Sequence, residues 1–197
     1  MKKLTRDFYN QDTILVAKQL LGKTLIHVID EGEIRCKITD VEAYTGVNDR
    51  ACHSFGGRRT NRTEILWGEA GHAYIYLIYG MYYMLNIVAE NEGSPCAVLL
   101  RGVAPESPLD IISINRYQKL YHQLTKRQIT DIANGPGKVC KALNLNKSHN
   151  GLDLLGGELY IIDAPPIDEA FIHSGKRINI DYAEEAKDYL YRFYLQQ

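Results

Sequence analysis

The chain has 197 residues, 45% of them hydrophobic and 24% charged, with 23 Lys and Arg against 24 Asp and Glu for a formal net charge of −1. That length implies a single domain over residues 1–197 with a substantial core, and no apolar run approaches the roughly 18 residues of a membrane span. The near-zero charge excludes a surface that is basic all over, so any polyanion must be met by local patches. The opening MKKLTRDFYNQD turns polar too early for the apolar centre of a signal peptide. Cys36, Cys52, Cys96 and Cys140 are scattered singly with no C-x-x-C, which argues against a structural metal and fits a reducing, cytoplasmic compartment.

In chain order, Asp12 to Leu21 (DTILVAKQLL) predicts a short helix, with Asp12 as N-cap and Gly22 as its stop. TLIHVIDEGEIRCKITDVEAY follows as two strands around Asp30-Glu31-Gly32. In the second strand Ile34, Cys36 and Ile38 take one face and Arg35, Lys37 and Thr39 the other, and Glu42 and Tyr44 fall at its end. Residues 45–71 are a long, polar, glycine-rich connection of the functional or mobile kind. The run YIYLIYGMYYMLN (74–86) and PCAVLLRGVAP (95–105) predict neighbouring strands joined by Asn91-Glu92-Gly93. Ser107-Pro108 opens a helix with Pro at its first position, and a second short helix follows Pro136. Residues 152–163 look strand-like, and DYAEEAKDYLYRFYL is ambiguous between helix and strand. Strands cluster early without βα alternation, which predicts an α+β fold on an antiparallel sheet.

Individual residues leave several chemistries open. Glu42 is a carboxylate among apolar neighbours, suited by partial burial to taking a proton from water, or else an ordinary surface glutamate. His53 suits either a site or a satisfied structural position. Gly56-Gly57-Arg58-Arg59-Thr60-Asn61-Arg62 is the densest basic patch, a solvated loop or a phosphate contact. GPGK (135–138) is no P-loop, because Val139 follows Lys138; a turn feeding a helix N-terminus fits better, and its free amides could hold a phosphate. No Ser or Cys is spaced with a base for nucleophilic catalysis. The 14 Tyr against 4 Phe favour surfaces that are half wet, since tyrosine packs its ring while its hydroxyl seeks a partner.

Taken together, VEAYTGVNDRACHSFGGRRTNR, AYIYLIYGMYYMLN and AVLLRG, with NGPGKVCKALNL and the later RINIDYA and RFY, resemble the alkyladenine (3-methyladenine) DNA glycosylase family over most of the chain. With no long basic segment before the first motif, the resemblance is to a compact bacterial-type member. It implies a curved antiparallel sheet with a protruding β-hairpin and surrounding helices. It also implies a monofunctional, monomeric enzyme acting on double-stranded DNA that contains damaged purines, with no metal or cofactor. On that basis Glu42 matches the base that activates water for attack on C1′, and Arg101 the arginine that positions water and carboxylate. A backbone carbonyl near Ile180 would complete the water site. Tyr44 and Tyr76 match the residues that sandwich the extruded base, His53 sits at its edge, and Asn86 would crowd the 2-amino group of normal guanine. Tyr79 matches the residue that fills the vacated stack, with Met81 near it; Arg58, Arg59, Arg62 and Lys138 are the backbone candidates. The implied substrates are 3-methyladenine and 7-methylguanine. Phe55 and Val47-Asn48-Asp49 depart from the family pattern in the substrate-facing loop and leave hypoxanthine open. A lesion-binding module without catalysis is the alternative on the same scaffold, and an RNA-binding domain of similar sheet architecture a more distant one.

Overall fold

The computed structural model describes residues 2–196. Two short helices open the chain, α1 (Arg6–Tyr9) and α2 (Thr13–Leu20). The Asp12 carboxylate accepts from the Ile14 and Leu15 N–H groups at 3.0 and 3.1 Å, which satisfies two of the donors a helix start leaves free. Strands β1 (Thr24–Ile29) and β2 (Gly32–Tyr44) form the expected hairpin. β3 (Ala73–Ile78), β4 (Tyr82–Ala89) and β5 (Cys96–Ser107) follow, then α3 (Leu109–Tyr117), α4 (Lys126–Asp131) and α5 (Pro136–Ala142). The chain ends with β6 (Leu159–Ile162), β7 (Ile172–Gly175) and β8 (Arg192–Leu195).

These elements make an α+β fold around one curled antiparallel sheet in the order β3-β4-β5-β2-β1-β6, with β8 pairing β2 and β7. β2 is the organising strand. Its first half pairs β1, its second half pairs β8 through Asp40–Glu42, and β5 runs along its other edge. Register shifts between β2 and β5 at Ile38/Asp40 and Asp40/Val41 mark where the sheet bends, as bulges do. From Ile38 to Ala43 every residue of β2 is buried, so the in–out alternation of its first half gives way to a strand covered on both faces. Side-chain parity then separates two environments. Val41, Ala43, Ile75, Leu85, Ile87, Val98 and Leu100 belong to the main core. Tyr74, Val88 and Ala97 of the opposite parity form a smaller cluster with Leu66. No helix among the described residues is long and apolar enough to cross a membrane.

Four sequence expectations need correction. The tyrosine-rich run is two strands, not one: it breaks at Tyr79-Gly80, both with positive φ (53° and 68°), the mirror-image hairpin turn that matches strand twist. Pro108 is the N-cap of α3 and lies just outside the helix. Only Leu159–Ile162 of the 152–163 stretch is strand. The C-terminal stretch is a 3₁₀ turn (Glu184–Asp188) followed by β8, so both readings were half right. α1, α4 and β7 are short elements that the pattern did not reveal.

GPGK does feed a helix N-terminus, and its second glycine has a packing reason. A Cβ at Gly137 would sit 2.8–2.9 Å from Cβ, Cγ and Cδ1 of Tyr82, the first residue after the hairpin turn. Those atoms are the root of the Tyr82 side chain and cannot swing aside cheaply. Gly137→Ala is therefore expected to lower stability by about 1–3 kcal/mol in a denaturant melt, with the hairpin displaced from α5.

Candidate active site

On the face opposite the core, the register aligns Glu42 with Leu99, Leu99 with Asn86, and Asn86 with Tyr74, one row across β2, β5, β4 and β3. Residues two positions along, Tyr44, Arg101, Met84 and Tyr76, share that face by the two-residue strand period. These side chains line a cavity of about 200 Å³, far above the roughly 10–15 Å³ that holds one water. The segment Ile178–Ile180 and Tyr182 close its other side.

Glu42 lies wholly buried at this cavity. Its Oε2 accepts from the Tyr44 hydroxyl at 2.7 Å, and its Oε1 from the Ile178 N–H at 2.8 Å. Arg101 Nη1 stands 3.2 Å from the same Oε1. Burial raises the carboxyl above its ordinary range, while Arg101, the Tyr44 hydroxyl and the Ile178 N–H pull it back toward the charged form. Behind the pair, Arg101 Nε is 3.6 Å from Asp40 Oδ2, and Arg192 grips Asp40 through Nη2 and Nε at 2.8 and 3.0 Å. Charges thus alternate along Glu42, Arg101, Asp40 and Arg192. Burial and the Glu42 charge push the Tyr44 hydroxyl well up, so it stays protonated and donates.

The aromatic wall is continuous. Tyr74 and Tyr76 rings lie 5.2 Å apart, and the His53 ring meets Tyr76 edge-on at 4.7 Å. His53 Nδ1 is 2.9 Å from the Tyr74 hydroxyl. Burial, followed by the charges of Arg62 and Arg58, lowers the His53 pKa to about 4, so the imidazole is neutral across the physiological range. The Asn86 amide nitrogen donates to the Tyr74 carbonyl at 3.1 Å, which fixes the side chain at the cavity wall.

A family model described as methylpurine-DNA glycosylase matches residues 7–197. The chain belongs to the methylpurine-DNA glycosylase family. It is 52% identical to a protein of Clostridium novyi (strain NT), over 100% of this chain and 96% of that one. It is 51% identical to one of Clostridium acetobutylicum over 98% and 94%, and 47% identical to one of Desulfitobacterium hafniense (strain Y51) over 100% and 96%. All three carry the name "Putative 3-methyladenine DNA glycosylase".

In this member of the glycosylase family the remaining sequence candidates divide by place. Tyr79 lines the cavity mouth and is 73% exposed at the hairpin turn. Met81 is 67% exposed on the same turn but faces a separate groove with Tyr82, Tyr83 and Lys141. Arg58 and Arg62 line a second cleft that shares His53 and Tyr182 with the cavity, and the Arg62 guanidinium lies 4.7 Å from the Tyr76 ring centre. Arg59 and Lys138 are already engaged: Arg59 forks onto Glu64 and covers Trp67, and Lys138 pairs with Asp131. Near Ile180 the carbonyl of that residue accepts from the Ala183 N–H at 2.9 Å, while the contact made to Glu42 is the Ile178 N–H.

Tyr74, Ile178 and Tyr182 are cavity residues that the sequence did not single out. Tyr74 was legible, since it shares strand parity with Tyr76. The Ile178 contact is a backbone amide and has no side-chain signature. As to metals, His27, His149 and Glu158 bring ligand atoms within 4.8 Å of one another, but His149 Nε2 and Glu158 Oε1 stand at an ion-pair spacing of 3.7 Å and none lines the cavity. The four cysteines are buried and free.

Proposed function

We propose that this chain is a monofunctional DNA glycosylase that extrudes an alkylated purine into the tyrosine-walled cavity and hydrolyses its N-glycosidic bond. The observation that carries this is Glu42, a wholly buried carboxylate at a cavity of about 200 Å³, held by three donors that favour its charged form. Two features of its surroundings support the roles. The carboxylate is held above its ordinary range and so suits proton transfer from water. The bond breaks through an oxocarbenium-like state, whose positive charge a nearby carboxylate stabilises.

The step balances without a cofactor. Glu42 takes a proton as water oxygen bonds to C1′, and the C1′–N bond electrons leave with the base. A purine alkylated at N3 or N7 departs neutral, so it needs no proton from the protein. Arg101 orients the carboxylate, and Tyr44 and Tyr76 flank the base, each stack recovering roughly 1–3 kcal/mol of the extrusion cost. The neutral His53 offers one hydrogen-bonding nitrogen to the purine edge. Asn86 at the wall disfavours the 2-amino group of guanine. Exposed Tyr79 enters the gap in the stack with Met81 beside it, and Arg58 and Arg62 meet the backbone more readily than the paired Arg59 and Lys138.

The relatives' shared name supports 3-methyladenine as substrate, and the same chemistry extends to 7-methylguanine. The test is to incubate the protein with methylated duplex DNA and with an inosine duplex, and to quantify released bases by chromatography. Release of 3-methyladenine and 7-methylguanine is the expected result, with hypoxanthine, which departs as an anion unless it is protonated, released more slowly. Tight binding to lesion duplex with no release would favour the capture module.

A further inference from the structure

The most deeply buried ion pair among the described residues takes no part in the cavity lining. Arg177, between β7 and β8, and Asp49, in the loop after β2, have side chains wholly shielded from solvent. Both Arg177 terminal nitrogens donate to the Asp49 carboxylate, Nη2 to Oδ1 at 2.8 Å. The second N–H of each terminal nitrogen reaches a backbone carbonyl, Ala43 at 2.9 Å and Ala186 at 3.2 Å, while the buried Nε makes no hydrogen bond. Asp49 in turn accepts from the Thr45 and Ala51 N–H groups at 3.1 and 3.0 Å. The guanidinium lies 4.8 Å from the centre of the Tyr44 ring and 5.4 Å from that of Tyr191.

A buried ion pair is a poor source of stability, because desolvation consumes most of its attraction. Its contacts here converge on another purpose. The Ala43 carbonyl sits between Glu42 and Tyr44 on β2. The ring under the guanidinium is that of Tyr44. The residue after Arg177 is Ile178, whose N–H donates to Glu42 Oε1 at 2.8 Å. One planar group therefore ties the strand end, the stacking ring and the segment that supplies a donor to the carboxylate.

We propose that Arg177, locked by Asp49, is the positioning residue of this site: it sets the plane of Tyr44 and aims the Ile178 N–H at Glu42. It does so without touching the reacting atoms. The assignment rests on the roles given above to Glu42 and Tyr44. The other groups facing Glu42 are Arg101 from β5 and Asp40 and Tyr44 from β2, with Arg192 of β8 acting through Asp40.

Arg177→Lys keeps the positive charge and loses the fork, so it isolates geometry from charge. Single-turnover excision on methylated duplex is to be followed across pH, with binding to an abasic-analogue duplex and the melting temperature alongside. The expected result is a folded protein whose maximal rate falls about 10- to 100-fold, the scale of a small misplacement. Its acid limb also moves to higher pH, because Glu42 loses a hydrogen bond that favours its charged form. A folded variant with wild-type rate and limb overturns the proposal. So does a rate loss that follows the loss of folded protein with the limb unmoved, which is what a purely structural residue gives. Should Arg177→Lys not fold, Asp49→Asn, which leaves the guanidinium in place, is read by the same two outcomes. Absence of release by the wild type would instead overturn the glycosylase reading.

Discussion

Glu42→Gln loses excision by about 10²–10⁴-fold, the range removed with a general base, while its affinity for an abasic-analogue duplex stays within a few-fold of wild type. The substitution is close to isosteric. A glutamine Oε1 can still accept from the Ile178 N–H, and the Tyr44 hydroxyl retains a partner within reach. What disappears is the ability to take a proton from water and the negative charge facing C1′. Arg101 keeps Asp40 at 3.6 Å as a counter-charge, so the cost to folding is moderated. Single-turnover base release and an electrophoretic or anisotropy titration, run on the same preparations, separate the two effects. Retained excision would remove Glu42 from the mechanism.

Tyr79→Ser is expected to weaken both lesion binding and excision, by about 5- to 150-fold for the roughly 1–3 kcal/mol of one lost stack. Stability should move little. The side chain is 73% exposed, touches no part of the core clusters, and its backbone sits at φ 53°, where tyrosine has no advantage over serine. Exposed substitutions away from caps and cores are usually within about 0.5 kcal/mol. The measurement is a melt alongside binding to duplexes with and without a methylated purine. A large drop in melting temperature with DNA affinity unchanged would mean that the turn is structural and not a wedge.

The contrast between these two residues indicates what the amino-acid sequence disclosed. Glu42 was visible as a carboxylate between Val41 and Ala43 at the end of an alternating strand, but its complete burial was not. That burial needs β8, which arrives 150 residues later to pair Arg192 opposite Glu42, and the 178–180 segment that covers it. Local alternation carries no information about a strand covered on its second face by such a distant partner. Tyr79 shows the reverse difficulty. Residues 74–85 contain one glycine and are otherwise apolar or aromatic, so pattern alone predicts a continuous strand. The turn exists because Tyr79 accepts a positive φ beside Gly80, an unusual conformation for a bulky residue. Only the family resemblance implied a protruding hairpin. Arg59 and Lys138 looked free in sequence because their partners, Glu64 and Asp131, lie at spacings that belong to no regular element. Arg177 was invisible for the same reason, since Asp49 is 128 residues away.

The pH dependence of single-turnover excision on methylated duplex tests the central role of Glu42 most directly. Burial raises its carboxyl, so the account predicts a rate that falls with acid through a limb centred above the ordinary carboxylate value of about 4.5, as Glu42 gains a proton and ceases to act as base. His53, lowered to about 4, adds no limb between pH 5 and 8. A rate constant that stays flat down to pH 4.5 would contradict the account, because no buried carboxylate would then be taking the proton from water.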